Sequence, residues 1–521
     1  MYRRLAASLI ASLALAAPAG AADLRLALSS SPSAMDPHFH NLGANLNVAQ
    51  NMFDTLVRMD PDSRLMPGLA ESWKVIDDTT WEFRLRPGVK FHDGSPLTAD
   101  DVIFSLDRPA TLVNSPAGFG IYTRSIASKV AVDATTLRLT TKGPYPLLLS
   151  DLSTIYVLSR HAAEGVPTEE FARGRGMVGT GQYKFVSFAR DDRAELVRNP
   201  APWGEKADWD HATIRFIPNN ATRLATLLAG DVDAIEGVPG SDLQAVKQNP
   251  KLVFAQKVSG RLVYFYVDGG RPDTPLVTAK DGTKLAKNPL ADERVRRALS
   301  MAINRQAIAE RVMAGLGYPT GNLVPETLFG YDPSLPVPAF DPDGAKKLLA
   351  EAGYPDGFGL TINGPNDRLV NDAQIVQAVA QMFSRIGIAA KVETLPMAAY
   401  AGRGAKGEYS FGLIGFGSQT GESSSILRAI IACPDPKTGG GLYNWSFYCN
   451  RQVDEYLARA LATVDDGARA GLLRQAAHLA VTTGAIIPLH FQATTWAARA
   501  GITIVPRTDE RSFAAGFRPA P

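Results

Sequence analysis

Helix-period and strand-period segments alternate along almost the whole of this 521-residue chain, and that alternation constrains its fold more than any other feature. Several helices have their ends written in the sequence. Thr98 stands before Ala99, Asp100 and Asp101, an N-cap with acids in the first turn, ahead of Val102, Ile103 and Leu106. Asp292 precedes one apolar stripe of Val295, Ala298, Leu299, Ala302 and Ile303, with its stop at Gly315. Asp341 and Pro342 open a third helix, carrying Ala345, Leu348, Leu349 and Ala352 before Gly353. Asn371 or Asp372 starts a fourth, with Ile375, Val379, Met382, Phe383 and Ile386 inward and Gly387 closing it. Among strand patterns, Trp81, Phe83 and Leu85 alternate with Glu82 and Arg84, and 137–139 and 262–267 also fit. These segments predict a mixed α/β protein.

The first 21 residues have the pattern of an export signal. Arg3 and Arg4 precede a short apolar run over 5–17, and Ala19-Gly20-Ala21 supplies small residues before a cleavage point after Ala21. The run is shorter than the about 20 residues a membrane span needs. No lipid-bearing cysteine follows it, so a soluble periplasmic protein is expected. The 500 residues beyond it exceed what one core normally supports, which predicts two or three domains. The whole chain has 54 basic and 52 acidic residues; without Arg3 and Arg4 the count is 52 against 52. A neutral chain has no long-range field to gather nucleic acid or anionic membrane. The two cysteines, Cys433 and Cys449, are close in an exported chain and predict one structural disulfide. A metal or redox pair would call for CxxC spacing or an intervening His, and neither occurs.

Residues 68–108, GLAESWKVIDDTTWEFRLRPGVKFHDGSPLTADDVIFSLDR, carry a specific signature. GTGQYKF (179–185), RNPAPW ending at Trp203, GDVDAI (230–235), NPLADERVRRALSMAINRQAI (288–308), FDPDGAKKLLAEAGYPDG (340–357) and YNWSFYCNRQVDEYL (443–457) follow in order. The ordered set resembles the family that binds peptides, dipeptides and nickel for ABC importers, solute-binding protein family 5. The resemblance implies two lobes facing each other across a cleft, joined by hinge strands, with an extra domain on the first lobe. It places lobe I at 22–58, 178–275 and 488–521, the extra domain at 59–177 and lobe II at 276–487. The polar stretch 272–289, with Asp281-Gly282 as a turn, is a candidate boundary between domains. The implied activity is non-catalytic: a monomeric receptor that binds a short peptide or similar small solute and delivers it to an inner-membrane ABC permease. A receptor for chelated nickel is the alternative within the family, and an exported peptide or ester hydrolase the alternative outside it.

A zwitterionic peptide carries an ammonium, a carboxylate and amides, and burying them without partners costs several kcal/mol each. The cleft must therefore supply an acid, a base and backbone groups. The loop GFGSQTGESSSILRAI (415–430) falls where the dipeptide-binding branch has an Asp-rich loop for the ligand ammonium, and departs from it: Glu422 is the remaining acid. Glu422 is the candidate ammonium partner, or a solvated loop acid. Phe416 is either a pocket wall or core. Arg368, on a loop before a helix, falls near a carboxylate-binding Arg of that branch; its alternative is a surface ion pair with Asp367 or Asp372. Arg428 is a second candidate for the carboxylate, or a brace for Glu422. Tyr443, Asn444 and Trp445 precede Cys449, with Trp445 a stacking residue or core. The resemblance also implies that residues 31–36 lie beside an extended ligand.

Other signals fail their contexts. The GxGxxG matches at 174–179 and 402–407 do not stand between a strand and a helix. His38 and His40 have no third ligand nearby, so no metal or cofactor is expected, and no HExxH or GxSxG occurs.

Overall fold

Two strands longer than the rest, Leu252–Val267 and Ile486–Arg499, run antiparallel through the middle of the molecule. The computed structural model describes residues 22–521 except 419, 436 and 438, so the export-signal reading of 1–21 lies outside the described residues. The ladder between the long strands slips between Val258 and Leu262. Before the slip, 252–258 pairs with 493–499, and Ala234–Glu236 joins the far side of that end. After it, 262–267 pairs with both 486–491 and Phe411–Gly417. Each strand thus starts in one half of the protein and finishes in the other. A bulge of this kind bends the strand locally and leaves polar groups to be satisfied elsewhere. Ser259 Oγ donates to the Gln492 carbonyl at 2.9 Å, and the Gly260 N–H donates to the Thr508 carbonyl at 3.2 Å.

Among the described residues the main sheet has twelve strands. One half takes Asp23–Leu28, with parallel neighbours His211–Phe216 and Ala234–Glu236, and ends at Arg193–Arg198 and Tyr183–Ala189. The other half takes Gly359–Pro365, parallel to Ala389–Leu395 and Phe411–Gly417. Such parallel pairs need helical crossovers, and Asp372–Arg385 is one of them. Leu262, Val263, Tyr264, Phe265, Tyr266 and Val267 are all buried, because elements cover both faces there. This two-lobed α/β architecture matches the expectation.

A separate antiparallel sheet lies within 59–177, in the order Ala70–Asp77, Thr80–Leu85, Thr136–Thr141, Ile126–Asp133. Trp81, Phe83, Leu85, Leu137 and Leu139 fill its inner face, while Val75 and Val130 stay exposed. Helix ends follow their local chemistry. The Asp101 carboxylate accepts from the Thr98 N–H at 3.0 Å and its hydroxyl at 2.7 Å, at the start of Ala99–Asp107. Asp341 Oδ1 accepts from the Gly344 N–H at 2.8 Å, starting Pro342–Glu351.

One expectation is corrected. The stripe beginning at Val295 is not one helix to Gly315: Glu293–Met301 ends, and Asn304 caps a new start by accepting from the Ala307 N–H at 2.9 Å. A side chain able to cap competes with helix continuation. Within the 272–289 stretch, Val277 and Thr278 pair with Leu360 and Gly359. Among the described residues no helix is long and apolar enough to cross a membrane. The GxGxxG segments follow a 3₁₀ helix and run over the C-terminal end of Met397–Ala405, which excludes a dinucleotide turn.

Cys433 and Cys449 form a disulfide across a sequence separation of 16, with Cα atoms 4.5 Å apart. Closing a loop of that size stabilises by about 3 kcal/mol on the chain-entropy model. Reduction, or the paired change Cys433→Ser and Cys449→Ser, is therefore expected to lower the denaturant midpoint clearly. Chemical unfolding with and without reductant measures it, and coincident curves would refute a stabilising link.

Candidate functional site

The C-terminal loop 507–514 lies against the slipped ladder, where the Gly260 N–H meets the Thr508 carbonyl. That loop is pinned from several sides. Thr508 N–H donates to the Pro61 carbonyl at 2.9 Å, Arg507 Nη2 donates to the carbonyls of Met59 and Asp60, and Trp496 Nε1 donates to Ser512 Oγ at 2.8 Å. Glu510, held in the left-handed region at φ 63°, receives the Arg261 guanidinium at 2.9 and 3.2 Å. Burial pushes the Glu510 carboxyl upward, but Arg261 and the Ser259 hydroxyl outweigh it and leave the pKa below the ordinary value.

Arg368 stands beside this pair. Asp372, the first residue of Asp372–Arg385, accepts from the N–H groups of Arg368 and Leu369, both at 3.0 Å. Its charge also suits the helix N-terminus. Asp372 thus fixes the loop backbone rather than pairing with the Arg368 side chain. The guanidinium is exposed; partial desolvation first, then the like charge of Arg261, lower its pKa. Open to solvent, it remains charged at neutral pH.

The loop 415–430 forms the facing wall of lobe II. Gly421 has φ 71°, and a Cβ there would come within 3.2 Å of the Ser63 carbonyl oxygen, so the loop lies directly against the 59–63 turn. Phe416 packs its ring 6.1 Å from that of Tyr443, which is half exposed. Arg428 is partly buried and faces Asp151 and Tyr145 of the 59–177 segment.

The other candidates from this stretch have structural occupations. Glu422 is 3 % exposed and ion-paired to Arg469, whose guanidinium also lies 4.8 Å from the Phe329 ring centroid. Ser424 donates to the same carboxylate, and Ser418 Oγ accepts from the Glu422 N–H at 3.0 Å. The expected solvated or ligand-facing acid is thus a buried one, and its charge is met inside the lobe. Asn444 donates to the carbonyls of Ile431, Ala432 and Tyr448 at 2.8–3.1 Å, tying together the loop that the disulfide closes. Trp445 sits edge-on to Tyr266 and Tyr400 at 5.5 and 5.8 Å, over Gly404, where a Cβ would strike its ring. In the 31–36 segment, Asp36 is buried and doubly bonded to Arg108 at 2.6 and 2.7 Å.

Sequence reasoning passed over the opposite wall. The short helix Leu148–Leu152 carries Asp151, 3 % exposed, which accepts from the Tyr145 hydroxyl at 2.7 Å. Burial pushes its pKa up to about 7, with Glu422 adding to the rise while Tyr145, Arg124 and Arg428 oppose it. An acid embedded among Leu147, Leu148, Leu149 and Leu152 was the available signal, since acids are rarely buried without purpose. Tyr122 accepts from Asn41 Nδ2 at 2.6 Å and lies between Asp151 and Arg511.

A surface depression of about 470 Å3 between Arg451–Ala460 and Asp466–Thr482 is lined by Arg459 and small or neutral residues. It sets no acid against a base. Among the described residues, Cys433, Cys449 and Asp454 are grouped closely enough to suggest a metal, but sulfurs bonded to each other are not thiolate ligands.

Two lobes joined through a slipped ladder define the architecture of the periplasmic solute-binding class. Comparison with known proteins gives the family: residues 64–437 match the bacterial extracellular solute-binding proteins, family 5, and the chain belongs to that family. The glutathione-binding protein GsiB of Shigella flexneri is 29% identical over 499 residues, covering 93% of this chain and 91% of that protein. GsiB of Escherichia coli K12 matches at the same identity and coverage. The solved structure of HbpA2 from Haemophilus parasuis has a TM-score of 0.81 at 26% identity, over 96% of this chain and 100% of that one. The unliganded open form of the murein tripeptide-binding protein MppA has a TM-score of 0.79 at 22% identity, over 96% and 98%.

The Glu422–Arg469 pair yields a test. Breaking a buried pair leaves an uncompensated charge and costs about 3–5 kcal/mol. Glu422→Gln is therefore expected to lower the stability of ligand-free protein by several kcal/mol, and adding Arg469→Met to recover part of that loss. Denaturant melts of the three proteins check this; unchanged stability in the single variant would show that the pair is not structural.

Proposed function

We propose that this protein is a periplasmic receptor that captures a short peptide, or a similar small zwitterion, and delivers it to an inner-membrane ABC permease without chemical change. The observation that carries the reading is the pair of charged walls. Arg428 of lobe II lies near Asp151 and Arg124 of the 59–177 segment, and Arg368 stands beside Arg261 and Glu510 at the slipped ladder. Opposed acids and bases at fixed positions suit a ligand with its own ammonium and carboxylate, and an Arg fork suits the carboxylate in particular. The 29% identical relatives bind glutathione, itself a tripeptide, which supports a peptide-sized ligand.

In this reading Arg368 and Arg428 hold carboxylate groups, and Phe416 with Tyr443 forms an apolar wall. Glu422, Asn444 and Trp445 hold the shape of lobe II. The lobes divide at 22–58, 178–275 and 488–521 against 276–487, with 59–177 as the extra domain. Ligand contacts from both lobes favour the shut form, which the permease recognises. The mature chain begins after Ala21 and acts as a monomer.

Calorimetry of the mature protein against a pool of di- and tripeptides including glutathione is expected to give a dissociation constant on the order of micromolar, about 8 kcal/mol. Arg368→Ala is expected to weaken the bound peptide by about tenfold or more, the loss of a charge-assisted hydrogen bond. Heat from nickel–histidine complexes alone would favour the nickel receptor. Cleavage of the pooled peptides by the purified protein would replace the receptor reading with a hydrolase.

A further inference from the structure

We infer that Asp151 is the group that receives the ligand's amine, so that the 59–177 segment contributes directly to recognition. This rests on the receptor reading above and deepens it.

A free amine entering the cleft needs an anion with an oxygen to spare. Most acids around the cleft have none. Glu422 is taken up by Arg469 and Ser424, and Glu510 by Arg261. Asp62 pairs with Lys257 at 2.5 Å, and Asp509 with Arg507. Glu236 receives the Ser29 N–H and hydroxyl at 2.7 and 2.6 Å on one oxygen, and Asn47 at 3.4 Å on the other. Asp151 differs. Its Oδ2 accepts from Tyr145, while Oδ1 has no hydrogen-bond partner among the described residues, although the side chain is 3 % exposed. With no partner among the described residues, Oδ1 is available to a ligand N–H donor, and a charge-assisted bond to it is stronger than a neutral one.

The surroundings are polar on every side from which a ligand could come. Tyr145 and Arg124 belong to the same segment, and Tyr122 is on Gly120–Thr123, packed against the Asp151 helix. Arg58 is on Val57–Met59, the strand beneath, with its Nε turned to the Pro67 carbonyl at 3.1 Å. Glu422 and Arg428 reach it from lobe II. Neighbouring arginines suit the carboxylates of the same molecule, which places amine and acid ends at one end of the cleft. Enclosure holds the Asp151 pKa up at about 7, so at pH 7 about half of the free protein carries this group protonated. An arriving ammonium favours the anion, lowers that pKa and expels a proton.

The test compares the peptide pool with the same pool N-acetylated, titrated into mature wild-type protein, Asp151→Asn and Tyr145→Phe. Wild type is expected to prefer the free-amine pool by about tenfold or more, the scale of a charge-assisted contact. Asp151→Asn is expected to abolish most of that preference, and Tyr145→Phe to alter it less. Wild-type titrations at pH 7 in two buffers of different ionisation enthalpy are expected to show proton release. Silence towards both pools would defeat the receptor reading, and this inference with it. Binding with equal affinity for the two pools, preference retained in Asp151→Asn, or binding without proton release would overturn the inference alone. The buffer comparison uses wild type only, so it stands even where a variant fails to fold.

Discussion

The antiparallel ladder between Leu252–Val267 and Ile486–Arg499 is the constraint on which the rest depends. Both halves of the main sheet grow outward from its two ends, and among the described residues no other strand pair in that sheet spans them. A backbone ladder resists stretching and tolerates twisting, so the joint keeps the halves in register while letting them rotate. The slip at 258–262 removes a few cross-strand bonds where bending is needed, and Ser259 and Gly260 find partners in Gln492 and Thr508. Arg261, the next residue, turns into the cleft floor and meets Glu510. Joint and binding surface are therefore neighbours in sequence as well as in space.

Charges around the cleft divide by how completely they are met. Glu422 with Arg469, and Asp36 with Arg108, are buried pairs whose hydrogen bonds are largely internal. They set the shape of loops and have little left to offer a guest. Arg368 is presented by its loop and remains in water, while Asp151 keeps one oxygen without a hydrogen-bond partner among the described residues. Residue type alone does not separate these roles. The partner does, and partners come from remote parts of the chain: Arg469 lies 47 residues after Glu422.

That remoteness explains what was legible in the sequence. Thr98, Asp341 and Asp372 announced helix starts because capping is decided within three or four residues. Trp81, Phe83 and Leu85 announced a half-buried strand because alternation is equally local. Ordered landmarks then carried the two-lobed architecture, which no periodicity contains. The break at Asn304 escaped because the apolar stripe continues across it, and the cap shows only through its bond to Ala307. In the cleft, Arg368 was visible as a loop arginine before a helix. Glu422 was visible as an acid, but its burial was not. Asp151 lay unnoticed in an apolar run, since enclosure and an unbonded oxygen are properties of packing.

The slipped ladder has a consequence for how such a protein could change over generations. Observed affinity is the intrinsic affinity scaled by the fraction of molecules already in the shape that grips the solute. The Ser259 hydroxyl, bonded to the Gln492 carbonyl at the slip, acts on that balance. A substitution there would change the strength of capture by way of the joint. Affinity can thus drift while Arg368 and Asp151 stay as they are.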